Sequence, residues 1–212
     1  MILSDITIRQ LCTGPEYEGI LSEAIDEMTA RVVRKIPHGR PMIEPFVSES
    51  IKNDERGRIA SFGLSSYGYD VRLAKKFKIF TNINNSLIDP LDMPEDCYHE
   101  QEGDSVILPP NSYLLGHTVE TFDIPRNVSV VCLGKSTWAR AGVIVNVTPI
   151  EAGFKGQVVI EISNATNLPI KIHAGMGIAQ FQFFLGDRPC EVSYDDRGGK
   201  YQGQSGIQLA KV

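Results

Sequence analysis

The sequence predicts a mainly β fold of the sandwich or barrel kind, preceded by short N-terminal helices. Two observations carry this. From Met42 onward, short β-branched or aromatic runs are separated by Gly, Pro, Asn and Asp, which marks tightly turned strands rather than βαβ units. Before that point the apolar residues recur at helical spacing. The 212 residues, 42% hydrophobic and 22% charged, suffice for one sizeable core. A single domain over 1–212 is therefore expected, with a helical region over 1–40 and a flexible C-terminal lid over 195–212.

Taken in order, Ser4 is placed to cap a short helix carrying Ile8, Leu11 and Cys12, which Gly14 and Pro15 end. A second helix is expected from about Glu16 to Lys35. Ile20, Leu21, Ala24, Ile25, Met28 and Val32 form its apolar stripe, acidic residues lie early, and Arg31, Arg34 and Lys35 lie late, as the helix dipole favours. Strands are then expected in "YDVRLAKKFKIF", "SVILPPNSYLLGHTVE", "NVSVVCL", "GVIVNV", "GQVVIEISN", "PIKI", "GIAQFQFF" and "CEVSY". The tail "DRGGKYQGQSG" has the Gly- and Gln-rich composition of a mobile flap.

A formal net charge of −5 argues against a broad nucleic-acid-binding face, while a local cluster of cations could still hold a small anion. Cys12, Cys97, Cys132 and Cys190 are far apart with no C-x-x-C pair, which suggests free thiols rather than a disulfide framework or zinc knuckle. No stretch approaches the roughly 18 apolar residues of a membrane span, and the opening "MILSDITIRQL" lacks the pattern of a secretory signal. A cytoplasmic protein is expected. His38, His99, His117 and His173 have no metal-ligand spacing and read as surface or satisfied strand residues.

Two segments could carry chemistry. "GKST" at Gly134 ends like a P-loop, but that motif needs an earlier glycine where Ser129 stands, and the β-branched run Val143, Ile144, Val145 and Val147 favours a strand after it. Lys135, Ser136, Thr137 and Arg140 nonetheless put two cations and two hydroxyls within six residues. They form either a polyphosphate-holding turn or a solvated one. Trp138 suits core or rim packing better than stacking on a ligand. In "GQVVIEISN" strict alternation puts Val158, Ile160 and Ile162 on one face and Val159, Glu161 and Ser163 on the other. Glu161 is then either a carboxylate pointing into water or a general base whose pKa burial has raised. The zinc nucleobase deaminases hold their metal with H-x-E and P-C-x-x-C, and neither motif is present.

"MILSDITIRQL", "SSYGYDVRL", "LGKSTWARAGVIVNVTPIEAGFKGQVVIEISN", "GIAQFQFF" and "YDDRGGKYQGQSG", in this order, resemble the dCTP deaminase family of the dUTPase-like group. The likeness runs over essentially the whole chain, with the helix around residues 16 to 36 an enlargement. It implies a distorted β-barrel of the dUTPase-like, β-clip kind, assembled as a homotrimer with active sites at the subunit interfaces. The implied activity is hydrolytic deamination of dCTP to dUTP and ammonia, feeding dUMP and dTTP synthesis. Mg²⁺ would be bound through the triphosphate, no zinc or other protein-held metal would be used, and dTTP is a candidate inhibitor. Neither nucleic acid nor membrane is an implied partner.

The resemblance implies Glu161 as the acid/base carboxylate, with Ser136 and Arg140 assisting catalysis. Lys135, Ser136, Thr137, Trp138, Ala139 and Arg140 match the nucleotide-binding turn, and Val159 and Ile160 match the strand that lines the base. Gln180, Tyr194, Lys200 and Gln204 match residues that close over the ligand. Glu151 in "TPIEAGF" departs from the dUTPase-like pattern, which carries Asp at the sugar and usually an aromatic, here Phe154. The loop also lacks the His-Arg pair of one deaminase branch. The substitution weighs against dUTPase activity and leaves deamination standing. The alternatives are a bifunctional deaminase and dUTPase, a dUTPase, or a nucleotide sensor that has lost turnover; the last sits poorly with Glu161, Ser136 and Arg140 all being present.

Overall fold

The computed structural model describes residues 1–14, 41–83 and 85–211, so the helix expected over 16–35, and His38, lie outside the described residues. Helix α1 (Asp5–Thr13) starts after Ser4 and stops at Gly14, which takes φ 72°. It buries Ile8, Leu11 and Cys12, the stripe that the sequence marks. Ahead of it, Leu3 N–H donates to Phe183 O and Leu185 N–H to Met1 O, so the first residues run along the last strand.

The strands among the described residues are β1 (Ile43–Glu44), β2 (Ser50–Asp54), β3 (Gly57–Ser65), β4 (Gly68–Arg72), β5 (Lys76–Phe80), β6 (Tyr98–Glu102) and β7 (Ser105–Leu108), then β8 (Tyr113–Asp123), β9 (Val128–Gly134), β10 (Val143–Asn146), β11 (Lys155–Asn164), β12 (Ile170–His173) and β13 (Gly177–Leu185). One sheet has the order β10-β11-β8-β5-β6 with β1 also on β8, a second has β2-β3-β4-β13-β9, and β12 pairs with β7. All these pairings are antiparallel. Between the described strands the hydrogen-bonded order does not close into a ring, which makes the expected barrel a distorted one built from separate sheets.

The sequence run "YDVRLAKKFKIF" shows how the sheets are joined. It divides at residues 73–75, where Leu73 N–H donates to Met176 O and Ala74 N–H to His117 O, carrying the chain from one sheet to the other. Aromatic rings fill the space between: Phe122 of β8 meets Phe181 of β13 at 5.1 Å between centroids, a tilted pair favoured by ring quadrupoles beyond the area it buries. A buried ion pair also crosses. Glu120 of β8, fully buried, accepts from Arg72 N–H (3.0 Å) and Nε (2.7 Å) of β4. Burial raises the Glu120 pKa, and the Arg72 guanidinium opposes that rise.

One expected strand does not form. In "CEVSY" the N–H of Cys190 goes to Arg126 O and that of Tyr194 to Ala152 O, while Ser193 N–H and Oγ both donate to Asp196 Oδ2. Its donors serve separate loops and a turn, so no ladder can run. The segment "GKSTWAR" is also more regular than expected, because Ser136–Ala139 make a single helical turn, α2, between β9 and β10. His117 is the satisfied strand histidine expected, buried with Nδ1 at 3.0 Å from Thr118 O.

Candidate active site

Strand β11 presents Glu161 through its alternation. Gly156, Val158, Ile160, Ile162 and Asn164 are buried, while Gln157, Val159, Glu161 and Ser163 are partly accessible. A bulge precedes the carboxylate: the register against β8 shifts between Gln157 and Val159, and the displaced Val158 N–H is taken by Thr118 Oγ1 at 3.0 Å. Such bulges bend a strand and re-aim its side chains. Past the bulge, Glu161 lies opposite Leu115 of β8 on one side and Asn146 of β10 on the other.

The accessible face of β11 forms a wall of a cavity of about 780 Å³. Of the residues that the sequence singles out, Glu151, Val159, Glu161, Tyr194, Lys200 and Gln204 line it. Burial pushes the Glu161 carboxyl up to about 7, opposed by a hydrogen bond from its own backbone. Glu161 is thus partly withdrawn from water rather than a fully hydrated strand carboxylate. A carboxyl with this proton affinity exchanges protons readily near neutrality, which suits a group acting first as base and then as acid.

Tyr98 and Tyr113, which sequence reasoning missed, share the cavity. Tyr113 lies opposite Ser163, making it a diagonal cross-strand neighbour of Glu161. Its hydroxyl is 2.7 Å from that of Tyr98, and its ring stacks on Phe80 at 5.0 Å. Burial, then the Tyr113 hydroxyl and the Glu161 charge hold the Tyr98 phenol protonated well above the ordinary tyrosine range. Cys132, on β9, also feels Glu161: burial first and that charge second push its thiol up to about 12. In the sequence Tyr113 is one aromatic inside the run "SVILPPNSYLLGHTVE" and Tyr98 lies outside every expected strand, and core packing explains such residues equally well.

The tail closes another side of the cavity and is anchored by hydrogen bonds rather than by an apolar run. Gln157 N–H donates to Gln204 O and Gln204 Nε2 to Gln157 O, both at 2.8 Å, and Gly203 N–H donates to Lys155 O at 2.8 Å. Gly156 makes this docking possible. At φ 136° any Cβ would be strained and would lie 2.8 Å from Gln204 N. Tyr201 N–H donates to the Tyr194 hydroxyl (3.0 Å), and Arg197 forms an ion pair with Glu151 across the rim. Lys200 Nζ donates to Lys211 O at 2.7 Å.

The turn residues stand elsewhere. None of Lys135, Ser136, Thr137, Trp138, Ala139 and Arg140 lines this cavity, nor does Gln180 or Ile160. Ile160 is fully buried, leaving only its backbone for contact, and Trp138 is buried with Nε1 donating to Gly177 O at 2.8 Å, the packing role expected of it. Ser136, Thr137, Ala139 and Arg140 are exposed. Lys135 and Gln180 instead both contact Asp70, a further residue that sequence reasoning missed although it stands inside "SSYGYDVRL". Among the described residues no three His, Cys, Asp or Glu side chains group so as to hold a metal ion.

The model of the dCTP deaminase-like family matches residues 29–186. The dCTP deaminase of Acinetobacter baumannii strain AYE is 52% identical over 183 residues, which are 86% of this chain and 97% of that protein. The dCTP deaminase of Azoarcus sp. strain BH72 is 54% identical over 180 residues, 85% and 96% of the two chains. Among solved structures, the 2'-deoxycytidine 5'-triphosphate deaminase from Agrobacterium tumefaciens superposes with a TM-score of 0.56 at 18% identity. That match covers 87% of this chain but about half, 48%, of the other, and it speaks for the fold alone. On its sequence the chain belongs to the dCTP deaminase-like family.

Proposed function

We propose that this protein deaminates dCTP hydrolytically, giving dUTP and ammonia. The observation that carries the proposal is Glu161, a carboxyl lining the cavity with its pKa pushed up to about 7, in a chain of this family. Water that adds to C4 of the cytosine gives up one proton as N3 gains one, and the new C4 hydroxyl gives up the second as the C4–N bond breaks and the departing amine gains one to leave as ammonia. Glu161 takes each proton in turn and passes it on, so that one carboxylate serves both halves of the reaction. Val159 and the backbone of Ile160 line the base, Tyr194, Gln204 and the tail close over it, and Lys200 and Arg197 stand where the charge of a triphosphate is met. Mg²⁺ would be carried by the triphosphate rather than by a side-chain cluster among the described residues, and would supply charge neutralisation there.

Ser136, Thr137 and Arg140 lie off the cavity of their own chain and are exposed. This supports a homotrimer in which the turn of one subunit faces the Glu161 cavity of the next, Ser136 and Arg140 assisting there. A single-domain chain with residues 195–212 as its lid, a cytoplasmic location, and inhibition by dTTP at the same site complete the proposal. Among the described residues no helix is long and apolar enough to cross a membrane.

Incubation with dCTP and Mg²⁺, resolving ammonia, dUTP, dUMP and pyrophosphate, tests the function. Ammonia and dUTP in equal amounts are expected. Glu151 is one methylene longer than Asp and is paired with Arg197. Misplacing a water-activating carboxylate by about 1 Å can cost on the order of 10²-fold, so dUMP should not accumulate. Stoichiometric pyrophosphate would establish the bifunctional reading instead, and no ammonia would remove both. The pH profile gives a second check. The base form of Glu161 is required, so kcat/KM for dCTP should fall about tenfold per pH unit below a limb near 7. A limb at the ordinary carboxylate value would show that the catalytic base does not have the burial-raised pKa of Glu161.

A further inference from the structure

The turn that carries Ser136 and Arg140 is held from behind by Asp70. This residue sits on β4 between two partners, opposite Gly63 of β3 and Gln180 of β13. Its residue exposure is only 5%, and both carboxylate oxygens are engaged. Oδ2 accepts from Lys135 Nζ, and Oδ1 accepts from Gln180 Nε2 at 3.2 Å. The same two donors reach back to β3, Lys135 Nζ to Ser61 Oγ and Gln180 Nε2 to Ser65 Oγ, each at 3.2 Å. The Lys135 side chain is 12% exposed.

Lys135 is the residue on which α2 begins, and its stem runs beside Gly177, where an added Cβ would lie 3.3 Å from Lys135 Cδ. Trp138, three residues on, is tied to Gly177 O. The turn is therefore pinned at Lys135 by charge and at Trp138 by a hydrogen bond. Ser136, Thr137 and Arg140 are left facing outward. A buried carboxylate and ammonium hold one another strongly only because each would be uncompensated alone.

We propose that Asp70 is a positioning residue of the nucleotide site: through Lys135 and Gln180 it fixes the turn that presents Ser136, Thr137 and Arg140, and it offsets the Lys135 charge so that Arg140 supplies the turn's outward cation. The assignment rests on the deaminase reading above. It gives Asp70 no contact with substrate.

The test is a double-mutant cycle of Asp70→Asn and Lys135→Gln, measured by melting temperature and by dCTP turnover at several salt concentrations. Asp70→Asn keeps the shape but releases the Lys135 charge and slackens the turn. Its kcat should fall about tenfold or more, its KM for dCTP should not rise, and that KM should depend more steeply on salt than in the wild type. Lys135→Gln strands the Asp70 carboxylate and should lower both melting temperature and kcat; adding Asp70→Asn should recover melting temperature and cost little further kcat. Losses in kcat that multiply, a raised KM in Asp70→Asn, or wild-type kcat and salt dependence in that variant would each overturn the proposal. Should Asp70→Asn fail to fold, the double variant carries the test, and wild-type kcat in it would overturn the assignment. The wild-type protein run in parallel reports on the deaminase reading separately, through ammonia release from dCTP.

Discussion

Glu161→Gln should reduce dCTP turnover by at least about 10²-fold while leaving nucleotide binding close to that of the wild type. Gln keeps the length of the side chain and a hydrogen-bonding terminus, and it fits the same position on β11 opposite Leu115 and Asn146. It cannot take a proton from water or return one to the amine. Binding should survive because the neighbours on the cavity wall, Val159 and the tail at Gln204, are untouched by the change. It should also relieve a cost, since the wild-type carboxylate must ionise against the burial that pushes it up to about 7. The variant is therefore expected to melt no lower than the wild type above that pH. Turnover within a few fold of wild type would remove Glu161 from the acid/base role.

Cutting the chain after Gly198 should leave a folded, assembled protein with kcat/KM for dCTP lowered on the order of 10²-fold or more. The fold should persist because the fully buried core is made by residues before the tail, Tyr201 packing against it only in part. The site should not persist. The cut removes Gln204, whose backbone and side chain hold Gln157 at the bulged end of β11, and Gly206, whose N–H donates to Gln157 Oε1 at 2.7 Å. It also removes Lys200 and Tyr201 from the cavity. In the intact protein, proteolysis near Gly198 and Gly199 should be slowed by dCTP with Mg²⁺ and not by cytidine, because the triphosphate gives Lys200 and Arg197 a charge to meet. Full activity after truncation, or equal cleavage with and without dCTP, would show that the segment is not a lid.

Much of this was legible in the chain because local rules decide it. The alternation of "GQVVIEISN" follows from a strand's period of two, and it placed Glu161 beside Val159 on the accessible face before any register was known. Gly14 ended α1 for the same local reason. What was not legible depends on partners distant in sequence. Whether Glu161 is hydrated or buried depends on Tyr98 and Leu115, brought to it by the pairing of β5, β6, β8 and β11, and on the tail, which docks by hydrogen bonds to Gln157 and Lys155. Asp70 reads as one polar residue in a strand until β13 and the turn after β9 bring Gln180 and Lys135 to it. "CEVSY" looked like a strand because its composition suits one, yet the N–H groups of Cys190, Ser193 and Tyr194 go to Arg126, Asp196 and Ala152, partners that do not lie along one strand.

Subunit mixing tests the central claim, that Glu161 of one chain works with Arg140 of another. Glu161→Gln and Arg140→Ala variants, each nearly inactive alone, are unfolded together in equal amounts, refolded, and assayed for ammonia release from dCTP. If each site draws its cavity and its turn from adjacent subunits, random assembly places an intact Glu161 beside an intact Arg140 in about a quarter of the sites, and activity should return to about that fraction of refolded wild type. Activity that stays at the level of the separate variants, in mixtures shown by a tag on one variant to contain both chains, would contradict the shared site.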